Sequence, residues 1–379
     1  MRFLILTHVL HKNYHENWYG YAPYVREMNL WLKYVDEVEI VAPLVKQEQS
    51  AIDLAYSHNA IKFTKIPSLA FISFKEAILS VFKLPLVLFT IFKACKKADH
   101  IHLRCPGNIG LLGCVVQIFF PKKIKTAKYA GNWDPNAKQP LSYRIQKWIL
   151  SNTFLTKNIS VLVYGNWPNQ SINIKPFFTA TFNDAEKEQV KTRDYSKPLH
   201  FMFVGSLVEG KRPMFAIQFV QQLIKSGTKA TLEVFGDGIL KTQLQDYIRK
   251  NNLDHVIKLH GNQSKDTVKA YYKTSHFLIL ASKSEGWPKV LAEAMFFGAI
   301  PIATNVSCVA DMLGEGQRGL LITPDINNAL KTFKSYTEDQ FKNLSINALH
   351  WSQTYTLDRF ENEVKGLILF EENREISNK

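Results

Sequence analysis

Short apolar runs in the first part of the chain alternate with longer segments whose apolar residues recur at helical spacing. Residues 2–6 and 38–42 are typical of buried strands, and residues 24–34 between them carry apolar side chains three or four positions apart. A strand, a helix and a second strand in this order predict a parallel sheet. Further strands are predicted at 99–104, 125–129 and 161–164, with helices at 109–120 and 142–155.

The same alternation restarts after a polar and charged stretch from Asn183 to Pro198, which is the best candidate for a linker. Strands are predicted at 200–204, 231–235, 256–259, 277–281 and 299–303, and a long helix at 351–370. A chain of 379 residues exceeds what one hydrophobic core usually supports, so two domains are expected. The predicted fold class is therefore α/β, with domains at 1–190 and 191–355 and a C-terminal helix at 356–379.

The composition is that of a globular protein with excess positive charge. Hydrophobic residues make up 46% of the chain and the net charge is +14, which favours anionic partners such as nucleotide phosphates, nucleic acid or an acidic membrane surface. No nucleic-acid-binding module is recognisable, so nucleic acid is not expected as a partner. The four cysteines show no Cys-x-x-Cys spacing, which suits a reducing cytoplasm. The apolar start turns polar at Thr7, too early for a signal peptide, and is interpreted as a strand.

One stretch combines carboxylates, a glycine turn and a helix start. Gly286 permits a tight turn, Pro288 suits the first helical position, and helix-favouring residues follow. Amides at a helix N-terminus lack intrahelical partners and the helix dipole is positive there, so the turn at 286–290 is suited to hold a phosphate group. Glu285 and Glu293 flank that turn, as the sugar and the ribose flank the phosphates of a nucleoside diphosphate sugar. The alternative is an amphipathic core helix with a solvated acid at each end.

A second anion site is predicted where the strand at 200–204 ends. Gly205 and Ser206 form a turn there, and Lys211 and Arg212 come directly before the next helix. A fixed cation adds to the attraction that helix-end amides exert on an anion. The alternative is a solvated Lys-Arg pair at an ordinary helix start.

The residues Glu285-Gly-Trp-Pro…Glu293-Ala-Met, followed by a glycine and an apolar strand, resemble the signature of the family 4 (group 1) glycosyltransferases of the bacterial cell-surface glycan type. The resemblance extends with gaps over residues 200–325. It implies the GT-B fold, in which two Rossmann-like domains face each other across a cleft and the C-terminal helix crosses back to the first. It also implies a transferase that retains anomeric configuration. The donor would be a nucleoside diphosphate sugar, with a UDP-sugar favoured over a GDP-sugar, and the acceptor a glycan or a lipid-linked glycan.

The resemblance also implies roles for individual residues. Glu285 would position the hydroxyls of the transferred sugar, and Glu293 would accept hydrogen bonds from the ribose. Lys211 matches the family's diphosphate-binding lysine, whereas Ser206 stands where the family has an arginine, a role that Arg212 could fill. The implied donor-binding residues are Gly205, Ser206, Lys211, Arg212, Gly236, Gln263, Glu285, Gly286, Trp287, Pro288, Lys289, Val290 and Glu293.

Glu285, Lys211 and Asp134 form the implied catalytic set. In the family, the loop that corresponds to the one around Asp134 often carries a histidine that touches the sugar; Asp134 either replaces it or caps the next turn. Gly20, in the predicted loop at 8–21, either approaches the phosphates or the acceptor, as in the family, or is a simple turn. The chain has no Asp-x-Asp pair, so no metal or other cofactor is expected, and the lysine and the helix amides would stabilise the leaving phosphate.

Residues 70–98 are rich in Phe, Leu, Ile and Val but interrupted by charged residues and Pro85, so they are not expected to span a membrane. One hypothesis makes them buried crossover helices. The other places an apolar helix face at 78–97 on an anionic bilayer, with Lys83, Lys93, Lys96 and Lys97 at the headgroups. The expected location is cytoplasmic, and peripheral on the inner face of the cell membrane under the second hypothesis.

Two other functions are compatible with the sequence. A nucleotide-sugar epimerase shares a related two-domain fold, but would need acid and base groups that the sequence does not place beyond Asp134 and the histidines. A catalytically silent nucleotide-sugar binder or membrane scaffold would be consistent with Ser206 in place of the arginine and with the missing histidine.

Overall fold

The computed structural model describes residues 1–50, 52–69, 74–190 and 193–377, and divides the chain into two compact units. The first unit contains Met1–Phe177 together with Glu361–Lys379, and the second contains Phe178–Phe360. None of the helices in the described part of the chain is both long and apolar enough to cross a membrane.

The first unit is built on a seven-stranded parallel sheet in the order β10-β9-β8-β7-β1-β4-β6. Its strands are β1 (Arg2–Leu6), β4 (Glu37–Pro43), β6 (Ile61–Ile66), β7 (His100–Cys105), β8 (Ile124–Tyr129), β9 (Ile159–Tyr164) and β10 (Ile174–Phe177). Parallel strands are covered by helices on both faces, which is why they appear in the sequence as continuous apolar runs. The prediction of a doubly wound first domain is confirmed.

Four helices connect these strands: α1 (Ala22–Trp31), α2 (Phe74–Lys97), α3 (Asn108–Val116) and α4 (Leu141–Ser151). Helix α3 contacts both α2 and α4, so these three lie side by side. Val87, Ile91 and Cys95 of α2 are buried in the core of this unit, as the hypothesis of a crossover helix requires. Residues 70–73, the start of that apolar stretch, lie outside the described part of the chain.

A small antiparallel sheet replaces the loop predicted at 8–21. Strands β2 (Lys12–Tyr14), β3 (Asn17–Tyr21) and β5 (Asp53–Ala55) pair in the order β2-β3-β5. The aromatic residues of this stretch favour strands, and Trp18 stacks on Phe63 with ring centroids 4.3 Å apart. Gly20 is buried inside β3, where an added Cβ would lie 3.1 Å from Val25. Neither the loop nor the simple turn expected at Gly20 is present.

The second unit has a six-stranded parallel sheet in the order β13-β12-β11-β14-β15-β16. The strands are β11 (Leu199–Val204), β12 (Ala230–Phe235), β13 (Ile257–Gly261), β14 (Phe277–Leu280), β15 (Ile300–Thr304) and β16 (Leu320–Ile322). Its helices are α5 (Pro213–Lys225), α6 (Lys241–Lys250), α7 (Lys265–Thr274), α8 (Lys289–Phe296), α9 (Val309–Met312), α10 (Ile326–Lys334) and α11 (Glu338–Ser352), and α12 (Leu357–Ser377) begins in this unit.

The division between the units falls after Phe177 rather than at residue 190, because the following segment packs on the second unit. Phe182 contacts the Phe297 ring at 5.0 Å, and Glu186 pairs with Lys269 at 2.8 Å. The polar composition of residues 183–198 predicts a linker, whereas two acids of this stretch, Glu186 and Glu188, form ion pairs with α7 of the second unit.

The helix predicted at 351–370 is two helices, because the chain turns between Ser352 and Leu357. The Thr356 hydroxyl accepts a hydrogen bond from the Arg359 amide at 3.2 Å, which caps the start of α12. The division between the units falls inside α12, and its residues from Glu361 onward belong to the first unit. There the Glu361 carboxylate accepts hydrogen bonds from Lys33 at 2.7 Å and from Tyr34 at 2.8 Å.

A buried ion pair ties α1 to the sheet of the first unit. The Lys128 ammonium on β8 lies 2.9 Å from the Glu27 carboxylate, and both side chains are almost fully buried. Arg104 on β7 approaches the same carboxylate at 3.8 Å. Removing one partner of a buried pair leaves an uncompensated charge in the interior.

We therefore expect Glu27→Gln to lower the free energy of unfolding by about 3–5 kcal/mol, measured by urea denaturation. Glu37→Gln is the matched control, because its side chain is 66% exposed and lies 4.0 Å from Arg2; an exposed pair contributes about 0–1 kcal/mol. Equal stabilities of the two variants would contradict the role assigned to Glu27.

Candidate functional site

Three neighbouring strands of the second unit end close together and position their following loops at one edge of the sheet. The Gly205 amide, after β11, donates to the Phe235 carbonyl at 3.0 Å, and the Gly236 amide, after β12, donates to the Gly261 carbonyl at 2.8 Å. The carboxyl ends of parallel strands are where open α/β sheets bind ligands. The predicted site residues of these loops therefore lie at the expected edge.

Gly236 makes this close approach possible. Its φ is +131°, and a Cβ added there would lie 2.0 Å from the Gly205 carbonyl oxygen. A side chain at this position would force the two loops apart. The sequence predicted a close backbone approach at Gly236, and in the structure the approaching backbone is the chain's own.

The loops after β11 and β14 are joined by an ion pair. The Lys211 ammonium donates to Glu285 Oε1 at 2.5 Å, with the carboxylate buried and the lysine partly exposed. The Lys283 amide also donates to the Gly210 carbonyl at 2.8 Å, which fixes the two backbones next to each other. Residues 74 positions apart in the sequence thus form one charged pair at the open edge.

Arg212 supports the same pair of loops. It lies in the left-handed region, with φ of 49°, immediately before α5, and its guanidinium donates to the Ala281 carbonyl at 3.0 Å. A left-handed backbone costs a non-glycine residue about 1–2 kcal/mol, which the surrounding contacts must offset. Ser206, in the place of the family's arginine, is exposed.

The turn before α8 is held through a carbonyl group. The Gly286 carbonyl accepts hydrogen bonds from Ser307 Oγ at 3.3 Å and from Cys308 Sγ at 3.0 Å. Pro288 caps the helix, which begins at Lys289, one residue later than predicted. Lys289 and Val290 are its first two residues, and their amides come too early to donate to a carbonyl four residues back within the helix. The Leu291 amide donates to the Pro288 carbonyl at 2.9 Å. Sequence reasoning missed the supporting role of Ser307 and Cys308, although they follow β15 at the same edge.

Trp287 packs into the interior of the second unit. Its ring lies 6.1 Å from that of Trp351 and 5.6 Å from that of Tyr355, and only 9% of the residue is exposed. These contacts place its indole in the core, so its presence in the motif is explained by packing.

Both carboxylate oxygens of Glu293 are bound by hydroxyl groups of the second unit. Thr181 donates to one oxygen at 2.6 Å and Tyr272 to the other at 2.9 Å. Burial, together with the adjacent carboxylate, raises the pKa of Tyr272 and keeps it a hydrogen-bond donor. Thr181, Glu293 and Lys289 line one small cavity. No motif pointed to Tyr272 or Thr181, since each lies in a segment without chemical pattern.

Of the remaining predicted residues, one follows β13 at the same edge and two lie in the first unit. Gln263 is exposed after β13 and donates to the His260 carbonyl at 2.8 Å. Asp134, in the first unit, accepts a hydrogen bond from the Asn136 amide at 2.8 Å, the capping arrangement that was one of its two predicted roles. Gly20 is also in the first unit, within β3.

Comparison with known proteins gives a family match within the second unit. Residues 184–348 match the family described as "Glycosyl transferases group 1". An uncharacterized glycosyltransferase from Methanocaldococcus jannaschii is 31% identical over 160 residues, which are 42% of this chain and 43% of the relative. A second relative comes from Campylobacter jejuni and is 28% identical over 145 residues, 38% of either chain. It is named as an N-acetylgalactosaminyltransferase for a diphospho-undecaprenol-linked saccharide.

The whole fold is found among solved structures. A protein from Anabaena, solved with UDP and glucose, superposes with a TM-score of 0.65 over 97% of this chain and 99% of its own, at 13% identity. That likeness concerns the fold alone, and the sequence matches span only about two fifths of the length of these curated relatives. Residues 184–348 of the second unit thus match the group 1 glycosyltransferases, and the chain has the two-unit α/β fold of the GT-B glycosyltransferases.

Proposed function

We propose that the chain is a retaining, metal-independent glycosyltransferase that moves a sugar from a nucleoside diphosphate, with UDP favoured, to a glycan or lipid-linked acceptor. The observation that carries the proposal is the Lys211–Glu285 pair beside the first turn of α8. A cation and helix-end amides at one sheet edge are the elements of an anion site. The family match of the second unit supports the same reaction class.

During sugar transfer, negative charge develops on the departing diphosphate. The bond between the anomeric carbon and the diphosphate oxygen breaks, a bond to the acceptor oxygen forms, and the acceptor proton passes to the departing diphosphate. Lys211 and the α8 amides stabilise the negative charge that grows on that leaving group. Glu285 orients Lys211 and accepts hydrogen bonds from sugar hydroxyls. Because these cationic groups are supplied by the chain, the reaction does not require a metal ion.

Lys211→Ala is expected to lower turnover by about a hundredfold or more, the scale for losing one preorganised charge stabiliser. Turnover is measured as diphosphate release from a UDP-sugar in the presence of an acceptor extract. Lys283→Ala is the matched control, because this exposed lysine lies in the same pair of loops and keeps its backbone bond to Gly210. A rate equal to the wild type in Lys211→Ala would remove that lysine from the site.

The two carboxylates are proposed to have separate roles, with Glu293 at the ribose and Glu285 at the sugar. Glu293→Gln should weaken binding of plain UDP by up to about 1.5–3 kcal/mol, measured by calorimetry. Glu285→Gln should mainly lower the reaction rate of the intact donor. Tyr272→Phe is the control for loss of packing around Glu293, since it removes one internal hydrogen bond and keeps the carboxylate. Equal losses of UDP affinity in both glutamate variants would show the assignment to be wrong.

We further propose that the acceptor is lipid-linked and that the first unit binds the cytoplasmic face of an anionic membrane through α2. Leu79, Phe82, Leu86 and Phe89 recur on one side of this helix and are 49–80% exposed. Lys83, Lys93, Lys96 and Lys97 are exposed on or beside the same stripe. The Phe92 ring contacts Phe119, itself 68% exposed, so the apolar surface continues past α3. An apolar stripe flanked by lysines is the pattern of interfacial helices.

Charge reversal at Lys93, Lys96 and Lys97 should release the protein from phosphatidylglycerol vesicles at low salt, because each lysine near an anionic surface contributes roughly 1 kcal/mol. Binding is measured by vesicle flotation, and turnover on a soluble acceptor should not change. The control variant reverses Lys225, Lys229 and Lys250, three exposed lysines of the second unit, and so has the same net charge. Release of both variants, or no binding by the wild type, would contradict the membrane proposal.

A further inference from the structure

An open cavity of about 310 Å³ lies in the first unit between α4 and the loop after β8. Its wall includes Trp133, Gln139, Arg144, Lys147, Trp148 and Gln170. The cavity follows the carboxyl end of a parallel strand, where such sheets bind ligands. Asp134, the residue of this loop to which the sequence analysis gave a role, is not among the residues that line the cavity.

The cavity is cationic. The Lys147 ammonium donates to the Asp134 carbonyl at 3.1 Å and lies 5.2 Å from the centre of the Trp133 ring, which fixes its position. Desolvation by burial lowers the pKa of Lys147 to about 8. Among the residues that the structure describes, neither Lys147 nor Arg144 has a carboxylate within 4.0 Å. The Asp134 carboxylate acts to raise the pKa of Lys147 without forming an ion pair with it. Two cations in one cavity favour an anionic ligand.

Two indole rings, those of Trp133 and Trp148, give the cavity flat apolar surfaces in addition to its cations. Trp133 is 2% exposed and donates to Gln170 at 2.9 Å, so it forms a fixed floor. Trp148, 61% exposed, lies on the wall and on the outer face of α4. An indole combines a flat apolar surface with a polar edge, and is therefore suited to pack on the ring of a sugar.

The outer face of α4 is apolar next to the cavity. Leu141, Ile145 and Trp148 recur at helical spacing and are 67%, 39% and 61% exposed. Helix α3 contacts both α4 and α2, so α4 lies in the same group of helices as the exposed apolar stripe of α2. An anion in the cavity would thus lie beside a surface suited to hydrocarbon.

We propose that this cavity binds the phosphate group of a phosphate-linked saccharide, which is the anionic end of the acceptor. This inference rests on the proposed function, because it names the acceptor class of the same enzyme. Lys147 and Arg144 bind the phosphate oxygens, and the indole of Trp148 packs on the adjoining sugar. The phosphate can belong to a free saccharide phosphate or to a prenyl diphosphate, whose chain would follow Leu141 and Ile145.

The test compares three probes by calorimetry on the full chain: N-acetylglucosamine 1-phosphate, farnesyl-diphosphate-linked N-acetylglucosamine and N-acetylglucosamine alone. The two phosphorylated probes should bind, and the uncharged sugar should bind at least tenfold more weakly. Lys147→Gln and, separately, the exposed Arg144→Gln should each weaken the phosphorylated probes about tenfold or more. Lys138→Gln, an exposed lysine of the same loop outside the cavity wall, should have no effect.

The farnesyl probe identifies the source of the phosphate. Tighter binding of this probe, lost in Leu141→Ser, assigns the cavity to a lipid-linked acceptor, and equal binding of both phosphorylated probes assigns it to a free saccharide phosphate. Phosphorylated probes that bind equally to wild type, Lys147→Gln and Arg144→Gln, or fail to bind, would overturn the proposal. UDP affinity, measured in parallel, should be the same in all these variants. A failure of the proposed transfer reaction would instead appear as absence of UDP binding or turnover.

Discussion

The candidate site depends on the position of β11 between β12 and β14 in a parallel sheet. Because parallel strands end at the same edge, the loop after β11 meets the loops of both neighbours. On one side, the loops after β11 and β12 are so close that a Cβ added at Gly236 would lie 2.0 Å from the Gly205 carbonyl oxygen. On the other side Lys211 reaches Glu285 at 2.5 Å. The strand order thus determines which distant residues share the site.

The Glu285 carboxylate lies within the proposed anion site, where its negative charge would repel a phosphate unless positive groups compensate it. Glu285 is buried, and a buried charge is costly unless it is paired and hydrogen-bonded. Lys211 supplies the pairing, and the α8 N-terminus adds its positive end. With both present the local charge remains favourable to phosphate, while the carboxylate keeps the ammonium in one place. A single lysine on a flexible stem would lose side-chain entropy on binding, whereas a lysine already held loses less.

Most of the sheets could be predicted from the sequence because buried parallel strands are continuous apolar runs. Lys211 and Glu285 could each be placed after such a strand, and the family resemblance implied a shared site, but the neighbouring positions of β11 and β14 come from the structure. Three features could not be predicted. The core position of Trp287 depends on its contact with Trp351, which is 64 residues further along the chain. One partner of Glu293 is Thr181, which the sequence analysis had assigned to the first domain. The strand at Gly20 depends on its pairing with residues 53–55. Each arises from long-range contacts that local pattern does not encode.

The location of the positive charges indicates which anionic partner they suit, which the net charge alone does not. A net charge of +14 is compatible with nucleotides, lipids or nucleic acid alike. In the second unit Lys211 is paired with a carboxylate at a site of fixed geometry, which suits a small anion. On α2 the lysines accompany apolar side chains such as Phe82, 80% exposed, that would be poorly placed facing water alone. Contact with an anionic bilayer, as proposed, would bury that apolar surface and neutralise the lysines at the same time.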